Sequence, residues 1–150
     1  MRTRFLLVAI NCMLLLSACS GGPLVTIPGA ALSGSVVAAP DDWAALAAQD
    51  TIQVEFRPAD PYSINIWGAG IGRDLYIATG ADGTRWTVFI DADPRVRVRI
   101  GESLFELQAV RVSDTAEHAR VVSAYEKKYE LDVGDNWVTD GQVYRMDRRQ

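Results

Sequence analysis

Residues 85–101 read RWTVFIDADPRVRVRIG, and this stretch decides the fold. From Arg95 onward arginine alternates with an apolar residue. Val96, Val98 and Ile100 fall on one side of an extended chain, and Arg95, Arg97 and Arg99 on the other. That is a strand with one buried face. Pro94 stops what comes before it, so Trp86 to Ala92 reads as a short helix delivering the chain into the strand. The valines are the buried set, which turns the arginines outward as a solvated face or the rim of an interface. Glu102 and Glu106, beyond the turn at Gly101, are their expected partners, each exposed pair contributing below about 1 kcal/mol. Arg85, which sits in the loop before the helix, is better placed to hold an anion.

The same two-residue period recurs along the chain. TIQVEFR (51–57) places Ile52, Val54 and Phe56 on one face, and Tyr62, Ile64 and Ile66 repeat the pattern. DLYIATG (74–80) is a third such segment, closed by a turn at Gly80–Gly83, and SLFELQAVRV (103–112) is the hairpin partner of the arginine strand. QVYRM (142–146) is a last strand. Between the strands, GAGIG (68–72) reads as a flexible hairpin; it is no dinucleotide fingerprint, because no helix follows it. Two further segments read as helices. PDDWAALAAQD (40–50) has Asp41 or Asp42 as its cap. DTAEHARVVSAYEKKYEL (114–131) opens on an Asp114/Glu117 capping box and carries His118, Val122, Tyr125 and Tyr129 as one stripe. Residues 132–141 read as a polar loop around Trp137. The expectation is an α+β, mainly β domain: a small antiparallel barrel with flanking helices.

Composition bounds the function. Apolar residues are 49% and charged residues 23% of the 150, an ordinary globular balance, and the formal charge of −4 gives nucleic-acid binding no electrostatic support. Both cysteines, Cys12 and Cys19, fall in the first twenty residues, so the remainder has no disulfide and no thiolate metal site. Arg2 and Arg4 precede an apolar run from Phe5 to Leu16, too short for a stable membrane span and typical of a signal peptide. The run ends in Leu16-Ser17-Ala18-Cys19, which resembles the bacterial lipoprotein signal, whose cysteine takes lipid. The resemblance implies a signal peptide at 1–18, a lipidated Cys19 and a Gly-, Ser-, Pro- and Ala-rich tether to residue 40, carrying a domain at 41–150. Removing 1–18 leaves 13 basic against 19 acidic residues, a formal charge of −6, so the lipid rather than the domain would meet the membrane. Ser20 after the cysteine favours the outer membrane where two are present.

Trp86-x-x-x-Ile90-x-Ala92-x-Pro94 followed by RVRVRIG resembles a segment of the split β-barrel flavin- and deazaflavin-binding superfamily, the pyridoxamine-phosphate-oxidase-like group. Ala124-Tyr125-x-x-Lys128-Tyr129, and Arg57, Trp67 and LYIATG in that order, are similar to members of the same group, over about residues 50–130. The resemblance implies a split barrel, a homodimer, and a cofactor such as FMN or a deazaflavin lying between subunits. Matched by position, Thr79, Thr84, Arg85 and Trp86 would approach it, as donors for phosphate and a wall for the ring. The chain departs from the pattern at Phe89, where the group carries asparagine, at Val88, and in having no Lys or Arg between Arg57 and Arg73. A cofactor-free domain is therefore an equal expectation. The implied activity, if the chain is an enzyme, is a flavin- or deazaflavin-dependent oxidoreductase. The alternative is a cofactor-free envelope lipoprotein that binds a partner or a small apolar ligand.

Other chemistries find little support. His118 is the only histidine and reads as packed or at a rim. Asp91 and Asp93 read as the end of a surface helix, and no serine sits in a Gly-x-Ser-x-Gly elbow. Asp132, Asp135, Asn136 and Asp140 fit no calcium loop, and no metal is expected. The four tryptophans read as core or interface residues.

Overall fold

A computed structural model describes residues 29–132 and 136–149. The signal peptide, Cys19, the first part of the tether and Asp135 lie outside the described residues. The elements are β1 (Ser35–Val36), a 3₁₀ turn (Leu46–Ala48), β2 (Ile52–Phe56), β3 (Tyr62–Ile66), β4 (Gly68–Ile71), β5 (Asp74–Thr79), α1 (Arg85–Ala92), β6 (Arg95–Ile100), β7 (Ser103–Arg111), α2 (Thr115–Tyr129), α3 (Asn136–Thr139) and β8 (Gln142–Arg148).

Seven strands form one curled antiparallel path in the order β3-β2-β6-β7-β8-β5-β4, and β1 adds in parallel to β7. The two ends of that path are consecutive in the chain, joined by Trp67 alone. One bent strand therefore belongs to both edges of the sheet. Its first half pairs with β2, Ile66 opposite Ile52, and its second half pairs with β5, Gly68 opposite Ile77. The sheet closes at Trp67 and stays open where β3 and the end of β5 part. That is the expected split barrel.

Its lining comes from the alternation seen in the sequence. Val54, Phe56, Val96, Val98, Ile100, Leu75 and Ile77 point inward and are buried in one cluster. The opposite face of β4, β5 and β8 is covered by α2, whose Val121 and Tyr125 pack with Tyr76, Ala78 and Val143 in a second cluster. Asp114 caps α2 by accepting from Glu117 N–H at 2.7 Å, and the helix ends where Glu130 takes a left-handed conformation.

Several expectations need correction. The segment 40–50 forms only a 3₁₀ turn. Asp42 accepts from Ala44 N–H, but Gln49 is already extended, and Trp43 is drawn into the core, its ring edge-on to Phe105 at 4.8 Å. GAGIG is not a flexible hairpin: Gly68–Ile71 is a paired strand whose first two residues are buried. Glycine is needed there for close approach, since a Cβ on Gly70 would stand 2.5 Å from the Trp43 carbonyl oxygen. The stretch 132–141 contains a four-residue helix, α3.

The arginine face is also more occupied than alternation suggests. Residues 29–37 run over the outer side of the sheet, with Ser35 N–H on Glu102 O and Val37 N–H on Leu104 O. Beneath them Glu55 is fully buried. It accepts a two-pronged bond from Arg97, at 2.7 and 2.5 Å, and one from Leu32 N–H at 2.6 Å. Arg99 bonds Gln53 and Ser33 O, and Arg95 bonds Asp93. The expected partners Glu102 and Glu106 therefore lose the arginines to β2 and to the preceding turn, because β2 rather than solvent flanks β6 on that side.

Candidate functional site

The opening between β3 and β5 is a groove of about 360 Å³. Tyr62, Ile64 and Ile66 of β3 form one wall, Ala78 and Thr79 of β5 the other, and Thr84, Arg85 and Trp86 at the start of α1 close one end. Asn65, Trp67 and Trp137 complete the lining. The four residues singled out in the sequence, Thr79, Thr84, Arg85 and Trp86, thus meet in one place. Their placement differs. Thr79 and Trp86 are 5% exposed, whereas Thr84 and Arg85 are at the surface.

The start of α1 follows from its sequence. Gly83 has φ +69°, in the left-handed region, and lets the chain turn into the helix. Thr84 N–H donates to Thr87 Oγ1 at 3.3 Å, and the Thr87 hydroxyl donates to Thr84 O at 2.7 Å, which closes the first turn. The helix then presents its positive end to the groove. Arg85 has no ion-pair partner recorded among the described residues. Arg97, by contrast, is fully engaged with Glu55 and cannot serve a ligand.

Trp86 is fixed from below. Its ring stacks on Phe56 at 5.5 Å and 13° and meets Tyr144 edge-on. It is therefore a rigid floor to the groove. The exposed aromatic surface comes from residues whose place in the groove the sequence did not mark. Trp67 stacks on Tyr129 at 4.3 Å and 10°, with Trp137 edge-on at 5.6 Å. Tyr62 meets Phe89 edge-on, and the Arg57 guanidinium lies 4.1 Å over the Phe89 ring. Phe89, which replaces the asparagine of the resembled pattern, thus supports Tyr62 from behind. The signal that could have marked Trp67 is its position as the lone residue between two strand patterns.

The aromatic wall is held by polar bonds beneath it. Tyr129 OH accepts from Gly68 N–H and also lies within bonding distance of Gly68 O, both at 2.9 Å. Burial, then the nearby Asp50 charge, pushes its pKa up to about 12 against the pull of the Gly68 amide, so the phenol stays neutral. Lys128 donates to three carbonyls, Ala47, Gln49 and Gly68, at 2.5 to 2.7 Å, although burial draws its pKa down. The end of α2 is thereby clamped to the β3–β4 junction that carries Trp67. His118, on the same helix, faces Gly141 O at 3.2 Å and lies outside the groove lining.

Among the described residues that line the groove, Arg85 is the only charged side chain, and none is a histidine, acid or lysine. Such a site can stack a planar ring and hold an anion. Its described lining offers hydroxyls but no carboxylate or imidazole to move a proton. Along β3, the Ser63 backbone bonds Gly29 rather than β2, so the same alternation aims the Asn65 N–H and C=O out of the strand edge into the opening.

The fold and its groove define a split-barrel domain, and comparison with known proteins agrees. No family model and no curated protein matches the chain. Among solved structures it is similar to a protein of Listeria innocua assigned as a pyridoxamine 5′-phosphate oxidase, with TM-score 0.57, 17% identity and coverage of 70% of this chain and 88% of that one. A Bacteroides thetaiotaomicron protein assigned to 5-nitroimidazole antibiotic resistance gives TM-score 0.57, 13% identity and coverage of 71% and 77%. An FAD-binding protein of Mesorhizobium loti gives 0.54, 17%, and 70% and 83%. At these identities the likeness establishes the fold.

Proposed function

We propose that this chain is a lipid-anchored protein of the bacterial cell envelope whose groove holds a flavin-type cofactor, FMN or a deazaflavin. The groove carries the reading: aromatic side chains that can face a planar ring stand beside a helix start and an arginine without an ion-pair partner, the donor set a phosphate needs. One structural neighbour is an FAD-binding protein, which agrees with this. Trp67 and Trp137 would flank the ring. Thr84, Arg85 and the first amides of α1 would hold the phosphate, Thr79 would supply a hydroxyl at depth, and Trp86 would floor the site. The cofactor would supply hydride or electron transfer; the chain's own part is to bind, orient and exclude water. Lipid on Cys19 would attach the domain, and a homodimer would cover the open side of the groove.

The test is direct. The mature chain from Ser20, mixed with excess FMN and passed through gel filtration, is expected to retain visible flavin absorbance. Arg85→Ala is expected to weaken binding about 10- to 100-fold, the value of about 1.5–3 kcal/mol for a charged hydrogen bond. No retention of FMN, FAD or a deazaflavin at ligand excess overturns the cofactor. It then favours the second reading, a cofactor-free binder, for which the largely apolar wall of Ile64, Ile66 and Ala78 speaks. For the anchor, Cys19→Ser is expected to move the protein from the membrane pellet to the soluble fraction.

A further inference from the structure

Arg57 stands where the backbone disfavours it. It follows β2 directly, and Pro58 comes next, which by itself pushes residue 57 toward extended backbone. Its φ is instead +53°, in the left-handed region, where a side chain with a Cβ is disfavoured and glycine or asparagine is the usual occupant. Glu130, the other described non-glycine residue with positive φ, closes α2, where that conformation is ordinary. The Arg57 side chain carries a second cost. Among the described residues, its Nε is the one buried side-chain nitrogen or oxygen without a hydrogen-bond partner, and a buried donor left unpaired destabilises the fold.

Little in the turn offsets those two costs. The ion pair with Asp60, at 3.1 Å, joins side chains that are 36% and 81% exposed, and such pairs add little. What remains is the place of the guanidinium against two rings. Its carbon lies 4.1 Å from the centroid of Phe89 and 5.9 Å from that of Tyr62, and those rings meet edge-on at 5.2 Å and 73°. Tyr62 begins β3 and lines the groove, whereas Phe89 belongs to α1, the helix whose start brings Thr84 and Arg85 to the same groove. The cation therefore caps the seam between the groove's β3 wall and its anion-holding end. Asparagine, which the resembled pattern has at position 89, offers no ring face to a cation, so this contact is the chain's own. Backbone strain and unpaired donors concentrate at functional sites, where the surroundings hold them in place.

We propose that Arg57 is a positioning residue of the groove: through Phe89 it fixes Tyr62 as a rigid wall for the bound ring, at the expense of stability. This rests on the flavin reading given above and deepens it, by naming a residue outside the lining that sets the groove's shape before the ring arrives.

The test separates binding from stability in the mature chain from Ser20. Arg57→Asn suits the left-handed backbone and removes both the cation and the orphaned donor. Its urea midpoint is expected to stay level or rise, while its affinity for FMN falls about three- to twentyfold, the range of a partly desolvated cation–π contact. Arg57→Lys keeps a cation but not the preference for this backbone. It is expected to bind FMN within about threefold of the unaltered chain, with a urea midpoint no higher than that of the unaltered chain. Without ligand, the ring resonances of Tyr62, identified by Tyr62→Phe, are expected to move toward those of free tyrosine in Arg57→Asn, while those of Tyr144, buried against Trp86, stay in place. FMN affinity unchanged in Arg57→Asn, Tyr62 resonances that do not move, or a urea midpoint that falls together with affinity overturns this inference alone. No flavin bound by the unaltered chain overturns the cofactor and this inference together.

Discussion

Arg97 shows how far a residue's role depends on what covers it. Alternation places it on the outer face, and it is there, yet it is committed to a carboxylate with no exposed surface. Removing one partner of such a pair strands the other. Arg97→Ala is expected to cost about 3–5 kcal/mol, at the lower end because the guanidinium is partly solvated, read as a lower urea midpoint. The double change Glu55→Gln with Arg97→Met is expected to cost less than the single one. Tyr129 sets a different condition. Its folded pKa, about 12, lies above the ordinary value of 10.0, so the folded state keeps a proton that the unfolded chain releases. The resulting stability is complete below pH 10 and is lost as pH rises to about 12. Tyr76, also raised to about 12, chiefly by burial, adds to the same fall. Thermal melts across pH 9 to 12 are expected to show the decline, and Tyr129→Phe to make it shallower; an unchanged slope would remove Tyr129 from the account.

Among the elements, the ladders were legible and the junctions were not. The arginine strand, its hairpin partner, β2, β3, β5, α1 and α2 all follow from period and caps, because each places its own apolar residues on one face. β4 was invisible, because GAGIG has almost no side chains to form a pattern and its strand character comes from β5 and from Trp43 lying across it. The 40–50 segment has helical composition, but the barrel takes Trp43 as core and pulls the chain straight after one turn. Thr79, Thr84, Arg85 and Trp86 were found through a short resembled motif and do converge on one groove. Trp67 and Trp137 were not found there, because their placement depends on a pairing between strands distant in sequence. One consequence is testable at β4. Gly70→Ala drives a methyl onto the Trp43 backbone and is expected to destabilise by roughly 1–3 kcal/mol, measured by chemical denaturation. Gly72→Ala meets no neighbouring atom within 4 Å and should cost only its positive φ, about 1 kcal/mol.

At the scale of the whole molecule, the split is the feature on which the proposed function rests. A fully paired barrel of this size fills its interior with side chains. Here the bent strand through Trp67 closes the sheet on one side and leaves β3 and β5 apart on the other, and the opening collects three tryptophans and one unpaired arginine. The most direct measurement is the set of tryptophan indole N–H resonances of the mature domain titrated with FMN. Trp67 and Trp137 are expected to shift strongly and Trp86 less, while Trp43, buried against Phe105 and absent from the groove lining, stays in place. Saturable shifts confined to Trp43, or none at any indole at flavin excess, would contradict the assignment of the split as the binding site.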